Sequence, residues 1–483
     1  MEIPPKGIPK ERLFRELEAL RAHDLDWRSG KAFAYVFDPG PAAIEVGKAA
    51  YAMFLSENAL DFTVFPSLLQ LETDLVDMAR RHVRGNEQVV GNFTSGGTES
   101  IILAVKAARD YFRSHKPEIR QPEMILPLTA HAAFHKAGHY LDVRVVQVPV
   151  DSHTLRADVD EIRQAVSRNT ILLVGSAPSY AYGIVDPIRE LGEIALNHGL
   201  LFHVDACMGG FMLPYFRRLG AEVPDFDFTV PGVTSLSMDL HKFAYTPKGA
   251  SIILYRNKDI RKHQIFSCSR WAGYSVVNNA VQSSRPGGPM AAAWAVIRFI
   301  GDEGYLALAR KKLEATRRIV QGIQAMEDLY VLGKPDMCLV GFTSDALNIF
   351  HVIDEMKERG WYIQPALAFG HSKAHIHLSI TASNVDWVDD FLSDLEACVQ
   401  KAKGVTCRGL PAAVKESLST LDVSGLGEAA FSQMLTMAGI QEGRLPERMA
   451  DLHEILNALP PEVRERLITE YVNGLFGPRH EGR

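Results

Sequence analysis

The sequence predicts an α/β protein: a large domain on a mostly parallel sheet with helices on both faces, followed by a smaller C-terminal α/β domain. Two observations carry this. Short apolar runs alternate with helical stretches through EMILP (123–127), VRVVQVPV (143–150), TILLVGSAP (170–178), LLFHVDA (200–206), VTSLSMD (233–239) and ASIILYR (250–256). That alternation is how crossover helices and buried parallel strands are written into a chain. From about residue 291 a long helical region then leads into a smaller set of strands and helices ending near 402. In such sheets ligands gather beyond the carboxyl ends of the strands.

Taken in order, residues 10–23 read as a short amphipathic helix after a proline-rich start, and about 42–56 carry a second helical pattern. Phe65-Pro66 punctuates the chain. Leu68, Leu71, Leu75 and Met78 recur at helical spacing, which predicts a helix over 66–82 with one buried face. GNFTSGGTES (91–100) then sets two glycines before the helix IILAVKAARDYFR. The expected units are an N-terminal helical segment (1–65), the large domain (66–290), the small domain (291–402) and a mainly helical extension (403–483).

With 483 residues, 47% apolar and 23% charged, the chain can bury a sizeable core, so disorder is excluded. Fifty-two basic against 58 acidic residues give a net charge of −6 without any Lys/Arg block, so nucleic acid is not an expected partner. The five cysteines are scattered without CxxC spacing, which points to reduced thiols and a cytoplasmic setting. No signal-peptide core and no run of membrane-spanning length is present, so the expectation is a whole chain in solution with no integral membrane segment.

No P-loop, HExxH or GxSxG stands in the chain, and GNFTSGG lacks the full GxGxxG pattern. His131, His135 and His139 at i, i+4, i+8 would share a helical face. Spread over about 12 Å of helix axis, they could hardly all hold one ion, and no metal is expected. TSGGTES (94–100) is more informative: glycines before a helix N-terminus free amides and the helix dipole for a phosphate, with Thr98 and Ser100 adding hydroxyls. The alternative is an ordinary glycine turn with Thr98 as N-cap. Asp205 ends a buried strand, where a carboxylate needs a partner or serves as a cap. His241 and Lys242 end another, and a lysine at such a cleft could have a depressed pKa and act as an imine-forming amine. A phosphate cradle, His131, a strand-end aspartate and a strand-end lysine are the four parts that pyridoxal 5'-phosphate requires.

At this point the sequence resembles the fold-type I pyridoxal-phosphate enzymes of the group II decarboxylase superfamily and, within them, the sphingosine-1-phosphate lyases. The matching text is GKAFAYVF, FPSLLQLE, TSGGTES, HAAFHKA, SRNTILLV, GIVDP, HVDACMGGF, FDFTVPGVTSLSMDLHKFAYTPKGAS and SRPGG, over about residues 30–400. The resemblance implies that Lys242 carries the cofactor as an imine, that Asp205 binds the pyridine nitrogen and that His131 stacks on the ring. Gly97, Thr98 and Ser237 would hold the cofactor phosphate, with Gly287 or Gly288 arriving from the second subunit of a homodimer with shared sites. His203 and His241 would complete the cofactor's surroundings, and Cys207 sits where the lyases also carry cysteine. Tyr35 and Lys248 would bind a substrate phosphate, and Tyr180 would lie near the proton transfer. One position departs from the pattern: the family's histidine in a segment resembling NPLH is Asp61 in NALD, and a carboxylate opposes a phosphate unless a cation lies between them.

The activity implied is retro-aldol cleavage of a 2-amino-3-hydroxy compound, with a phosphorylated long-chain base, a lipid-like amine, as the leading substrate. An amino-acid decarboxylase on the same scaffold is the alternative, in which Asp61 would help select a different head group. A non-catalytic cofactor-binding protein conflicts with the complete lysine–aspartate–histidine set.

Overall fold

The computed structural model describes residues 2–404 and 445–477. Its centre is a seven-stranded sheet of β1 (Val90–Thr94), β2 (Glu123–Pro127), β3 (Arg144–Val148), β4 (Thr170–Ser176), β5 (Leu201–Asp205), β6 (Ser235–Asp239) and β7 (Ser251–Tyr255), in the order β1-β7-β6-β5-β4-β2-β3. Only β7 runs against its neighbours. The apolar runs are continuous because both faces are covered: Met124, Ile125, Leu126, Phe202, Val204, Leu236 and Met238 are all buried. Strand β1 was not among the expected runs. Its sequence VGNFT is short and half polar, and its place between α3 and β7 decides its conformation.

The helices are α1 (Lys10–Leu20), α2 (Pro41–Met53), α3 (Pro66–His82), α4 (Gly97–His115), α5 (Ala133–Leu141), α6 (Val159–Ala165), α7 (Ile188–His198), α8 (Leu213–Arg218) and α9 (Lys258–Arg261). A hairpin, β8 (Phe266–Cys268) and β9 (Val276–Asn278), follows, and then α10 (Gly287–Gln324), broken at Gly301. The long helix therefore starts at the glycines of SRPGG rather than near 291. Pro66 opens α3 at its first position, where the missing N–H costs nothing, and Leu68, Leu75 and Ala79 form its buried face.

The small domain pairs β10 (Tyr330–Val331), β11 (Leu339–Thr343), β12 (Gln364–Ala366) and β13 (His375–Ser379) as an antiparallel sheet ordered β10-β11-β13-β12, with α11 (Ile349–Glu358) and α12 (Val388–Gly404). The N-terminal segment belongs with it in space: Phe33 N–H donates to Tyr362 O and Tyr362 N–H to Lys31 O, both at 2.9 Å. Of the expected helical extension, α13 (Ala450–Ala458) and α14 (Pro461–Leu475) are helical, and residues 405–444 lie outside the described part. Among the described residues no helix is long and apolar enough to cross a membrane.

Candidate active site

The carboxyl ends of β4, β5 and β6, the first turn of α4 and the turn after β2 enclose a cavity of about 400 Å³ whose walls include Gly97, Thr98, His131, Tyr180, Asp205 and Lys242. The β5–β6 register pairs Asp205, the last residue of β5, with Ser237, two residues before the end of β6.

Lys242 is three residues beyond the end of β6, and its Nζ lies 2.9 Å from Asp239 Oδ2. The expected depression of its pKa is not what the structure gives. Burial does oppose the ammonium, but Asp239, with Cys207 and Asp205 further off, raises the pKa above the ordinary lysine value. Burial likewise opposes the Asp239 carboxylate, yet Lys242 and His241 hold its pKa below the usual range. Asp239 Oδ1 is buried without a hydrogen bond. Sequence reasoning missed Asp239; its signal was a strand-terminal acid three residues before the lysine.

Asp205 Oδ1 accepts from Cys207 N–H at 3.1 Å and from Ser237 Oγ at 3.2 Å. Beneath it His203, wholly buried, bridges Ser235 Oγ (2.9 Å) and Ser237 Oγ (3.2 Å), and burial lowers its pKa to about 4, so the imidazole is neutral. Cys207 Sγ also donates to Ser237 Oγ at 3.3 Å. His203 and Ser237 thus support Asp205 from below, and neither is among the residues that wall the cavity. His241 is neutral too: burial lowers its pKa to about 4, and its Nδ1 accepts from Ala250 N–H at 3.1 Å.

α4 begins with Gly96 at its N-cap and has no side-chain cap, neither from Thr98 nor from Glu99, which instead ties down the preceding loop by accepting from Ser95 N–H at 2.6 Å and Ser95 Oγ at 2.7 Å. Its other oxygen accepts from Val281 N–H at 2.7 Å. The first-turn amides of α4 remain for an anion. A Cβ on Gly97 would sit 2.6 Å from Cys207 Sγ and 3.0 Å from both Asp239 oxygens, so the cradle's floor tolerates only glycine. An amine paired to a buried acid, a second strand-end acid and an anion-receptive helix start fit pyridoxal phosphate. His131 precedes α5 instead of sharing a helical face with His135 and His139; its Nδ1 accepts from Ala133 N–H at 3.1 Å and caps the helix, leaving the ring exposed at the cavity wall.

Tyr35 and Lys248 line a neighbouring groove of about 660 Å³ between α2 and residues 245–248, which His241 joins to the first cavity. Tyr35 has a left-handed φ of 63°, uncommon for a large side chain. Lys248 Nζ donates to His241 O at 3.2 Å and lies 4.7 Å from the Phe37 ring; burial and then Lys242 lower its pKa to about 8. The remaining expected residues are not brought in by the same chain. Asp61 is exposed and spends its carboxylate on Thr63 N–H (2.8 Å) and Thr63 Oγ1 (2.6 Å). Gly287 packs on Glu57 and Leu68, and Gly288 on Tyr51. The loop carrying them is anchored by Arg285, which meets both oxygens of buried Glu72 at 2.9 and 2.8 Å.

Comparison with known proteins follows the same lines. The pyridoxal-dependent decarboxylase conserved domain matches residues 29–345, and a pyridoxal-dependent enzyme C-terminal putative HTH domain matches 411–474. A sphingosine-1-phosphate lyase of Arabidopsis thaliana is 44% identical over 83% of this chain and 74% of its own length. The solved structure of a sphingosine-1-phosphate lyase from Burkholderia pseudomallei superposes with a TM-score of 0.80 at 37% identity, over 84% of this chain and 93% of that one. A probable L-aspartate decarboxylase of Pyrococcus furiosus is 32% identical over 75% of this chain and 95% of its own.

Proposed function

The chain belongs to the sphingosine-1-phosphate lyase family of pyridoxal-dependent enzymes, and from that premise we propose that it cleaves the C2–C3 bond of a phosphorylated long-chain 2-amino-3-hydroxy base to a fatty aldehyde and phosphoethanolamine. The observation that carries this reading is Lys242, paired with Asp239, in one cavity with Asp205, His131 and the start of α4. Bound pyridoxal phosphate supplies a ring that takes up the electron pair of the breaking bond.

The chain's own residues do the rest. Lys242 would hold the cofactor through its aldehyde, and Asp205, fixed by Ser237 and Cys207, would meet the pyridine nitrogen and favour its protonated form. Amides of Gly97 and Thr98 would receive the cofactor phosphate, and His131 would cover the ring. Tyr180 faces the C3 hydroxyl, whose proton must leave as the aldehyde forms. Tyr35 and Lys248 receive the substrate phosphate in the adjoining groove. The active unit in this reading is a cytoplasmic homodimer in which Gly287 or Gly288 serves the partner's site, and neither lines the cavity of its own chain. The four units 1–65, 66–290, 291–402 and 403–483 remain the proposed organisation, with the N-terminal unit serving the dimer and substrate access.

Asp61 and the aspartate decarboxylase likeness favour one rival, an amino-acid decarboxylase. Incubating the pure holoenzyme with a phosphorylated sphingoid base and, separately, with a panel of amino acids decides between them. Release of fatty aldehyde and phosphoethanolamine is expected; carbon dioxide from an amino acid without aldehyde from the base would overturn the reading.

A further inference from the structure

The loop after β4 carries Tyr180 into the cavity, but what orients Tyr180 comes from the small domain. Its hydroxyl donates to Gln364 Oε1 at 2.6 Å. Its ring lies on His377, with centroids 4.1 Å apart and planes 26° apart. His377 is itself pinned, Nε2 to Ser379 Oγ at 3.0 Å and Nδ1 toward Ala181 O at 3.4 Å. Gln364 and His377 are paired residues of β12 and β13, so one rung of the small sheet grips both ends of the phenol. Two residues before Gln364, Tyr362 leans against Tyr35 at 5.7 Å; Tyr35, Tyr362 and Lys242 are the titratable groups that act on Tyr180, and Ser379 lies within hydrogen-bonding reach of its hydroxyl on the small-domain side. Beneath the ring burial holds His377 neutral, so no charge there competes.

A phenol whose single proton is committed to an amide oxygen can only accept from the other side. We propose that Gln364 is the positioning residue of the reaction: by accepting the Tyr180 proton in a hydrogen bond it turns the phenol oxygen's lone pairs toward the cavity, where they accept a hydrogen bond from the substrate's C3 hydroxyl and fix that hydroxyl's orientation. This deepens the retro-aldol reading and rests on it. It assigns recognition of the hydroxyl-bearing carbon to the small domain, and it makes a substrate without that hydroxyl a poor ligand for this corner.

The test uses the full-length holoenzyme and its Gln364→Leu and Gln364→Glu variants, with aldehyde release from a phosphorylated sphingoid base measured across pH. Leucine frees the phenol to rotate, so kcat is expected to fall by at least about tenfold while KM moves less than about threefold, the mark of an interaction made chiefly in the transition state. Glutamate keeps an acceptor at the phenol and should restore kcat to within a few-fold of wild type. Its profile should also gain an acidic limb, because the protonated carboxyl can donate to Tyr180 and turn the phenol proton back into the cavity. If Gln364→Leu matches an active wild type, or Gln364→Glu is as slow as Gln364→Leu, the role of Gln364 is wrong while the lyase reading stands. A wild type that releases no aldehyde overturns both.

Discussion

At the scale of single residues, the site works by pairing charges that burial alone would extinguish. Lys242 and Asp239 each face a desolvation cost, and each keeps its charge because the other is 2.9 Å away. Asp239→Asn removes the anion, so Lys242 should lose its proton at least about one pH unit lower than in wild type. Mass-spectrometric rates of Lys242 acylation against pH in the cofactor-free protein measure this, and an unchanged midpoint would show that the pair does not set the amine. Lys248 titrates in the opposite sense to Lys242, its pKa lowered to about 8 by burial and by Lys242 itself. Its ammonium is present below that value and lost above it. KM for a phosphorylated substrate should therefore climb as pH rises through about 8, approaching the roughly ten- to hundredfold loss that deleting a charged hydrogen bond entails. Lys248→Arg, which stays charged, should abolish that rise, and a KM flat with pH in wild type would remove Lys248 from phosphate binding.

At the scale of elements, α10 joins the two domains and carries the oddest buried group in the chain. Lys312 is wholly buried, and its Nζ meets no hydrogen-bond acceptor. It rests over the rings of Phe243 (4.7 Å) and Tyr245 (5.0 Å), residues that directly follow Lys242, with Cys338 nearby ahead of β11. Burial lowers its pKa to about 8. The folded state thus binds fewer protons than the unfolded chain between about pH 8 and 10.5, so stability rises with pH across that window. Below pH 8 the penalty is present in full. Lys312→Met should then stabilise the protein at neutral pH by a few kcal/mol, at about 1.4 kcal/mol per unit, less what the two ring faces return. The gain should shrink toward pH 10.5. Denaturation midpoints of both proteins at pH 7 and 10 measure this, and a destabilised variant at pH 7 would mean that the cation–ring contacts outweigh the desolvation.

At the scale of the whole molecule, what was legible in the sequence was whatever local pattern decides. The six apolar runs became β2 to β7, and Pro66 with its leucine spacing became α3 residue for residue. Tertiary context hid the rest. VGNFT becomes a strand only because β7 pairs with it, and Gln364 gains meaning only when the small sheet is folded under Tyr180. His131 reads as helical by spacing, yet its own side chain starts the helix two residues later. Nor does any local pattern say which parts of the surface another chain would cover. Met53, Leu55, Val64, Leu69, Val277 and Val281 are large apolar residues left exposed at the end of α2, around the start of α3, and on and beyond the β8–β9 hairpin. Leu69 and Val277 line one groove with Phe62 and Val76. An apolar groove flanked by further exposed apolar residues is expected to be covered. The neighbouring Arg285–Glu72 pair fixes the SRPGG loop at the same side, and the loop's exposed residues there are Ser283, Ser284 and Pro286, while Gly287 and Gly288 are buried against Leu68 and Tyr51 of their own chain. The holoenzyme should sediment as a dimer, and Val64→Lys with Val277→Lys should shift it toward monomer. If the sites are shared as proposed, activity should be lost in proportion to the dimer fraction. Sedimentation and turnover measured on the same samples decide it: a monomeric double variant with full specific activity would show that one chain holds everything the reaction needs.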